Sequence, residues 1–315
     1  MHHSDSATVT TVDTLAKLLD VCGELRASEQ VDERAVTGCS FDSRAVSAGD
    51  VFFCKGAAFK PAFLRMALDA GAVAFVCEES LVESLEPLAQ ESGAAMLVVD
   101  SVRTAMALLP PEVYDRPDHD VKIVGITGTK GKTTAAFMLQ SIIKAAGESC
   151  GMIGSVSTDD GIECYESTNT TPEAPEVWRH IANCRTSGRQ SMVMEVSSQA
   201  LKYQRVENLP FDVACFLNIG RDHISPIEHP TFEDYFESKL RIFDQAKTAV
   251  VNLGTEEVDR VLEAASTAER LVTVGVEHPE ASLWASDVRM VGFSIEFNLH
   301  GLCADAVSYT HLRAH

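Results

Sequence analysis

Val121-Lys122-Ile123-Val124-Gly125-Ile126-Thr127-Gly128-Thr129-Lys130-Gly131-Lys132-Thr133-Thr134 is the stretch on which the reading of this chain turns. Ile123, Val124 and Ile126 form a short apolar run that predicts a buried strand. Thr127-Gly128-Thr129-Lys130-Gly131 is too flexible to continue it. Lys132-Thr133-Thr134 then opens a helix with apolar residues at helical spacing: Ala135, Phe137, Met138, Leu139, Ile142 and Ile143. A strand, a glycine loop and a helix start make a phosphate cradle, because free backbone N–H groups and the helix dipole converge on one spot. Within Gly128, Thr129, Lys130, Gly131, Lys132, Thr133 and Thr134, Lys132 is placed to reach the outer phosphates and the Thr133 hydroxyl to hold Mg²⁺. The general phosphate-loop pattern asks for glycine at the position of Ile126; Gly128 supplies the permissive backbone instead.

Outward from this loop, helices and strands alternate, which predicts an α/β protein. A length of 315 residues suggests two domains. Toward the N-terminus the pattern predicts a helix over 8–30. Two strands joined by a polar turn follow over 36–44 and 46–54, then helices over 61–70 and 80–91 and strands over 72–77 and 95–99. Residues 110–120, rich in proline and charge, read as a linker. Toward the C-terminus, strands are expected over 150–156, 191–198, 211–219, 249–252 and 271–274, with helices over 174–186 and 232–243.

Polar residues cluster where these strands end. Glu195, Ser197 and Ser198 close one strand, and Arg221-Asp222-His223 follows another. In an open parallel sheet, ligands bind at the carboxyl ends of strands, so Glu195 is a candidate Mg²⁺ ligand and His223 a candidate metal ligand. Lys239 falls among Phe236, Leu240 and Phe243; a snorkelling lysine and an inward-facing one are both compatible with that position. Asp42-Ser43-Arg44 suits an anionic ligand or, equally, a turn with a surface ion pair. Residues 167–173 fit either a ligand contact or a plain helix start.

Net charge is −20, from 26 basic and 46 acidic residues, which argues against nucleic acid as a partner. The nine cysteines (22, 39, 54, 77, 150, 164, 184, 215 and 303) lack any Cys-x-x-Cys spacing, and no signal peptide is read. Reduced thiols in a cytoplasmic protein are expected. No apolar run has membrane-spanning length, so no membrane partner is expected.

Taken in order, these motifs resemble the Mur ligases. The carriers are Asp42-Ser43-Arg44 with Gly49-Asp50, the Thr127–Thr134 loop, Asn169-Thr170-Thr171-Pro172, Glu195-Val196-Ser197-Ser198, Arg221-Asp222-His223, and Tyr235 with Lys239. Asn-Thr-Thr-Pro with Glu-Val-Ser-Ser points to the members that add the third peptide residue. The resemblance implies an N-terminal α/β UDP-muramoyl-binding domain over 1–110. An incomplete doubly wound phosphate-loop ATPase domain would follow over 121–306, with 307–315 a non-native tail and the gene product truncated.

The implied activity is ATP-dependent ligation of lysine or diaminopimelate to UDP-N-acetylmuramoyl-L-alanyl-D-glutamate through an acyl phosphate, with the fragment inactive alone. ATP and Mg²⁺ are the implied cofactors. Ser43 would bind the UDP-sugar, and Thr170, Thr171, Ser197 and Arg205 the dipeptide. Thr133 and Glu195 would hold one Mg²⁺, and His223 with a carbamylated Lys239 a second. Catalysis would rest on Lys132, Lys239 and His223. Gln199, Tyr203 and the segment ending at His229 depart from the family pattern, and no role is carried onto them. The rival readings are an inactive ATP-binding module and a folylpolyglutamate or cyanophycin synthetase.

Overall fold

The computed structural model describes residues 9–29, 31–222, 224–226, 228–292, 294–302 and 306–310. It contains two sheets. The first takes β1 (Leu25–Glu29), β2 (Gly38–Ser40), β3 (Asp50–Phe53), β4 (Ala74–Glu78) and β5 (Ala95–Val99), in the order β1-β5-β4-β3-β2. Only β1 runs antiparallel to its neighbour. Strand alternation sorts this unit into two cores. Val51, Phe53, Val76, Leu97 and Val99 pack under α1 (Val12–Val21) and α4 (Val102–Val113). Phe52, Phe75, Cys77, Met96 and Val98 pack under α2 (Pro61–Asp69) and α3 (Val82–Ser92) on the other face.

Three expectations change here. The helix expected over 8–30 stops at Val21, after a start in which Thr11 Oγ1 accepts the Thr14 amide. Gly23 then takes φ +73°, and the polar Leu25–Glu29 segment becomes an edge strand through pairing with β5, a contact that local periodicity does not contain. The strands β2 and β3 lie side by side but parallel, Gly38 opposite Asp50, so their connection is a loop over the sheet end rather than a hairpin turn. The stretch 110–120 is not all linker. Pro110, Pro111 and Val113 are buried in the last turn of α4, and Tyr114 donates its amide to Pro110 O at 3.0 Å. Burial there outweighs the amide hydrogens that the prolines lack.

The second sheet has eleven strands, in the order β16-β15-β14-β13-β12-β11-β6-β10-β7-β8-β9. Its parallel centre comprises β6 (Lys122–Thr127), β7 (Cys150–Ile153), β10 (Ser191–Glu195), β11 (Phe211–Phe216), β12 (Ala246–Asn252), β13 (Arg270–Val276) and β14 (Leu283–Val291). Antiparallel pairs flank it: β8 (Ser157–Asp159) with β9 (Cys164–Glu166), and β15 (Ser294–Gly301) with β16 (Ala306–Thr310). No structural break falls at residue 307, because β16 pairs along β15. The helices are α5 (Lys132–Ala145), α6 (Ala174–Thr186), α7 (Ser198–Lys202), α8 (Phe232–Leu240) and α9 (Val258–Ala265). The doubly wound α/β architecture expected from the alternation is present. β6 has β10 on one side and β11 on the other, so the strand order reverses at the phosphate loop. That switch point opens a crevice at the carboxyl ends.

A buried polar network holds the β8–β9 hairpin to α6. Asp160 accepts from His180 Nδ1 at 2.6 Å, Asn183 Nδ2 at 2.8 Å and the amides of Ile162 and Glu163. Burial alone would raise the Asp160 carboxyl; these donors outweigh it and bring its pKa down to about 2.

Candidate active site

The loop after β6 behaves as its sequence requires. Gly131 takes φ +85° as the residue capping α5, a left-handed conformation that glycine adopts without steric cost. Thr129 and Lys130 donate their amides to Asn218 O at 3.0 Å and Asn218 Oδ1 at 2.9 Å, so the end of β11 braces the loop. Thr129 Oγ1 lies 3.0 Å from the Tyr235 hydroxyl and accepts the Gly220 amide at 3.0 Å. Lys130 reaches outward to pair with Asp222 at 2.7 Å, and Thr134 is exposed.

Two lysines converge on this loop. Lys132 Nζ donates to Gly128 O at 2.8 Å, and Lys239 Nζ donates to the same oxygen at 3.0 Å. Lys239 is turned inward and 1% exposed, with its ammonium 4.8 Å from the Tyr235 ring centre. Burial, then the nearby Lys132 charge, push the Lys239 ammonium well below its ordinary pKa. Burial lowers Lys132 as well. The two lysine side chains thus share one carbonyl oxygen.

Beside them sits the carboxylate of Glu195, 1% exposed. It accepts from Thr133 Oγ1 at 2.9 Å, Ser155 N at 2.8 Å and Ser155 Oγ at 3.2 Å. All three donors are neutral, and among the described residues no cation lies within ion-pairing distance of it. A buried carboxylate with only neutral partners, next to a hydroxyl oxygen, is a donor set that fits a hard divalent cation.

Thr171 Oγ1 donates to Glu195 O at 3.0 Å and accepts the Ser197 amide at 3.1 Å; Thr170 Oγ1 lies 3.0 Å from Ser155 Oγ. Arg205 Nη1 donates to Thr171 O at 3.0 Å. Lys132, Thr170, Thr171, Ser197, Arg205 and Lys239 thus line one cavity of about 260 Å³. The structure therefore brings together most of the residues singled out from the sequence. Ser43 stands apart. It lines a separate hollow of about 400 Å³ on the first sheet, with Phe41, Arg44, Lys55 and Met66. Asp42 and Arg44 pair with each other at 2.6 Å. His223 lies outside the described residues.

Several participants escaped sequence reasoning. Glu173, at the start of α6, pairs with Lys55 of the first unit at 2.7 Å, with Arg205 at 3.0 Å and with Arg103 at 3.8 Å. Arg103 also donates to Tyr203 O at 2.8 Å. Glu173 therefore ties the two units together beside the cavity. Ser155 has no motif to announce it, being a single serine after a strand. His229, in a segment that departs from the family pattern, is buried between Ser198 and Asp234.

A family model described as the Mur ligase middle domain matches residues 126–310. The chain belongs to the Mur ligase family. It is 36% identical over 266 residues to the UDP-N-acetylmuramoyl-L-alanyl-D-glutamate--L-lysine ligase of Streptococcus suis (strain 05ZYH33), covering 82% of this chain and 53% of that protein. It is 42% identical over 230 residues to the enzyme of the same name from Enterococcus faecalis (strain ATCC 700802 / V583), covering 72% and 44%. The chain spans about half the length of the curated relatives it matches. A solved UDP-N-acetylmuramoyl-L-alanyl-D-glutamate--2,6-diaminopimelate ligase shares the fold with a TM-score of 0.78 at 21% identity, over 97% of this chain and 60% of that one. Among the described residues, no helix is long and apolar enough to cross a membrane.

Proposed function

We infer that this Mur ligase chain carries the ATP site and the UDP-muramoyl-dipeptide site of a third-residue ligase. The reaction joins lysine or diaminopimelate to UDP-N-acetylmuramoyl-L-alanyl-D-glutamate in the making of peptidoglycan precursors. The observation that carries this reading is the single cavity lined by Lys132 and Lys239 on one side and Thr170, Thr171, Ser197 and Arg205 on the other. The reading assigns the eleven-stranded unit to ATP and the five-stranded unit, through Ser43, to the UDP-sugar. A cytoplasmic location goes with it.

In this reading the D-glutamate side-chain carboxylate attacks the γ-phosphoryl group. The loop amides and Lys132 orient the phosphates and meet the charge that spreads over their oxygens. Arg205 and the Thr171 hydroxyl hold the dipeptide so that its carboxylate faces the loop. Thr133 and Glu195 would hold Mg²⁺, which supplies neutralising charge to the phosphates when bound. A second ion is assigned to His223 and Lys239. The depressed pKa of Lys239 makes its neutral amine available to attack CO₂, forming an N–C bond with loss of one proton. The resulting carbamate turns a repelling ammonium into an anionic ligand.

Calorimetric titration tests the assignment on the chain as it stands. A non-hydrolysable ATP analogue with Mg²⁺ and the UDP-muramoyl dipeptide are each expected to bind. Lys132→Ala is expected to weaken the analogue about 100-fold, the loss of a charge-assisted contact worth up to about 3 kcal/mol, with dipeptide affinity kept. Equal loss of both ligands would overturn the two-subsite reading.

A further inference from the structure

Ser198 sits at the first position of α7 and lines the same cavity. Its Oγ lies 2.9 Å from His229 Nε2, and His229 Nδ1 lies 2.6 Å from Asp234 Oδ2. Lys202 Nζ also donates to Asp234 Oδ2, at 2.7 Å, and the Tyr235 ring meets His229 edge-on at 5.2 Å. His229 is fully buried. Burial raises the Asp234 carboxyl, but the hydrogen bonds from Lys202 and His229 outweigh it and hold it below its usual value. An ionised Asp234 only accepts, so a neutral imidazole here carries its proton on Nδ1. His229 Nε2 is then left as the acceptor for the Ser198 proton. The Ser198 oxygen consequently offers the cavity lone pairs only.

The other lining residues sharpen what those lone pairs face. Lys132 and Arg205 suit anions. Glu228 is the one carboxylate among the described lining residues. A group that brings N–H donors and positive charge fits beside Glu228 and Ser198, where a carboxylate or phosphate does not.

We propose that Ser198, His229 and Asp234 form a proton relay that accepts the proton of an amine entering this cavity. The relay rests on the ligase reading for the identity of that amine as the incoming amino acid. The amine arrives as an ammonium. One proton passes to Ser198 Oγ while the Ser198 proton passes to His229 Nε2, and Asp234 stays ionised against the imidazolium. The freed electron pair forms the N–C bond as the C–O bond to phosphate breaks. The departing phosphate takes the second ammonium proton. Ser198 is the catalytic residue here; His229 and Asp234 act through it.

Labelling with diisopropyl fluorophosphate tests the relay on the 315-residue chain, since a serine that can pass its proton to histidine reacts at Oγ with loss of fluoride. The label is expected at Ser198, and His229→Gln is expected to slow it about 100-fold, the usual worth of a positioned base. Nitrogen NMR of the unsubstituted chain, which carries no folding risk, is expected to find His229 protonated at Nδ1 and bare at Nε2. With ATP and Mg²⁺ present, ethylamine is expected to protect Ser198 and acetate is not. An unlabelled Ser198, a proton on Nε2, or protection by acetate alone would each overturn the proposal. ATP binding is read on the same samples. Labelling without ATP binding counts against the ligase reading, and ATP binding without labelling counts against the relay alone.

Discussion

The glycine loop after β6 and the Ser43 turn are built on opposite principles. The first sits where buried parallel strands end, and nearly every polar group in it is held by a residue distant in sequence. Thr133 meets Glu195, Thr129 meets Tyr235, and Lys239 meets Gly128. The second is a half-buried turn in which Asp42 pairs with Arg44, two residues away. A site fixed by long-range contacts is organised before its ligand arrives. A turn satisfied by its own neighbours leaves its orientation to the ligand. Glu173 lies between the two and binds cations from both units.

Breaking that junction has the largest expected effect. Glu173→Gln leaves Lys55 and Arg205 without their shared anion, and removing one partner from a largely buried ion pair costs on the order of 3 kcal/mol. Denaturant unfolding is expected to show that loss. An unchanged midpoint would mean that the two units do not depend on this contact.

Next comes the network that anchors the β8–β9 edge. The Asp160 pKa is depressed to about 2, against about 3.9 in an unfolded chain. A carboxylate with a lowered folded-state value adds stability above the unfolded value. That contribution fades as pH falls from about 4 through about 2, and is on the order of 2–3 kcal/mol. Asp160→Asn is expected to flatten this acid limb in pH-dependent unfolding; a limb of the same slope would assign it to other carboxylates.

The comparison sharpens at Glu195. Glu195→Gln keeps the shape but removes the charge that would attract a divalent ion. The gain in nucleotide affinity that Mg²⁺ confers is expected to shrink about tenfold, or about 1.4 kcal/mol, in titrations with and without Mg²⁺. Retention of the full Mg²⁺ effect would exclude Glu195 as a ligand.

Ser43→Ala has the smallest expected consequence. Among the described residues its hydroxyl makes only a 3.9 Å contact to Met66 Sδ, so unfolding stability should move by no more than about 0.5 kcal/mol. Affinity for the UDP-muramoyl dipeptide should fall a few-fold, by about 1 kcal/mol for one hydrogen bond, while ATP binding stays the same. A stability loss as large as that expected at Glu173 would make the turn as structural as the junction.

Much of this was legible in the residues themselves, because strand, loop and helix at 121–134 depend on local rules: apolar run, glycine, helix start. The same locality made the helix at 174–186 and the strand Ala95–Val99 readable to the residue. Glu195 and Lys239 were legible as candidates, since a carboxylate ending a buried strand and a lysine on an apolar stripe both break the binary pattern. What local pattern lacked was partnership. Leu25–Glu29 is a strand only because β5 lies beside it, and Pro110-Pro111 is helical only because α4 is buried there. Ser155, Glu173 and His229 acquire their places from contacts 40, 118 and 31 residues away, to Glu195, Lys55 and Ser198. The sequence by itself determined where the chain bends, turns at glycine and starts its helices, since those depend on neighbouring side chains. Only the tertiary structure decided which buried charge meets which donor, because the cost of desolvating each group is set by what the fold packs around it.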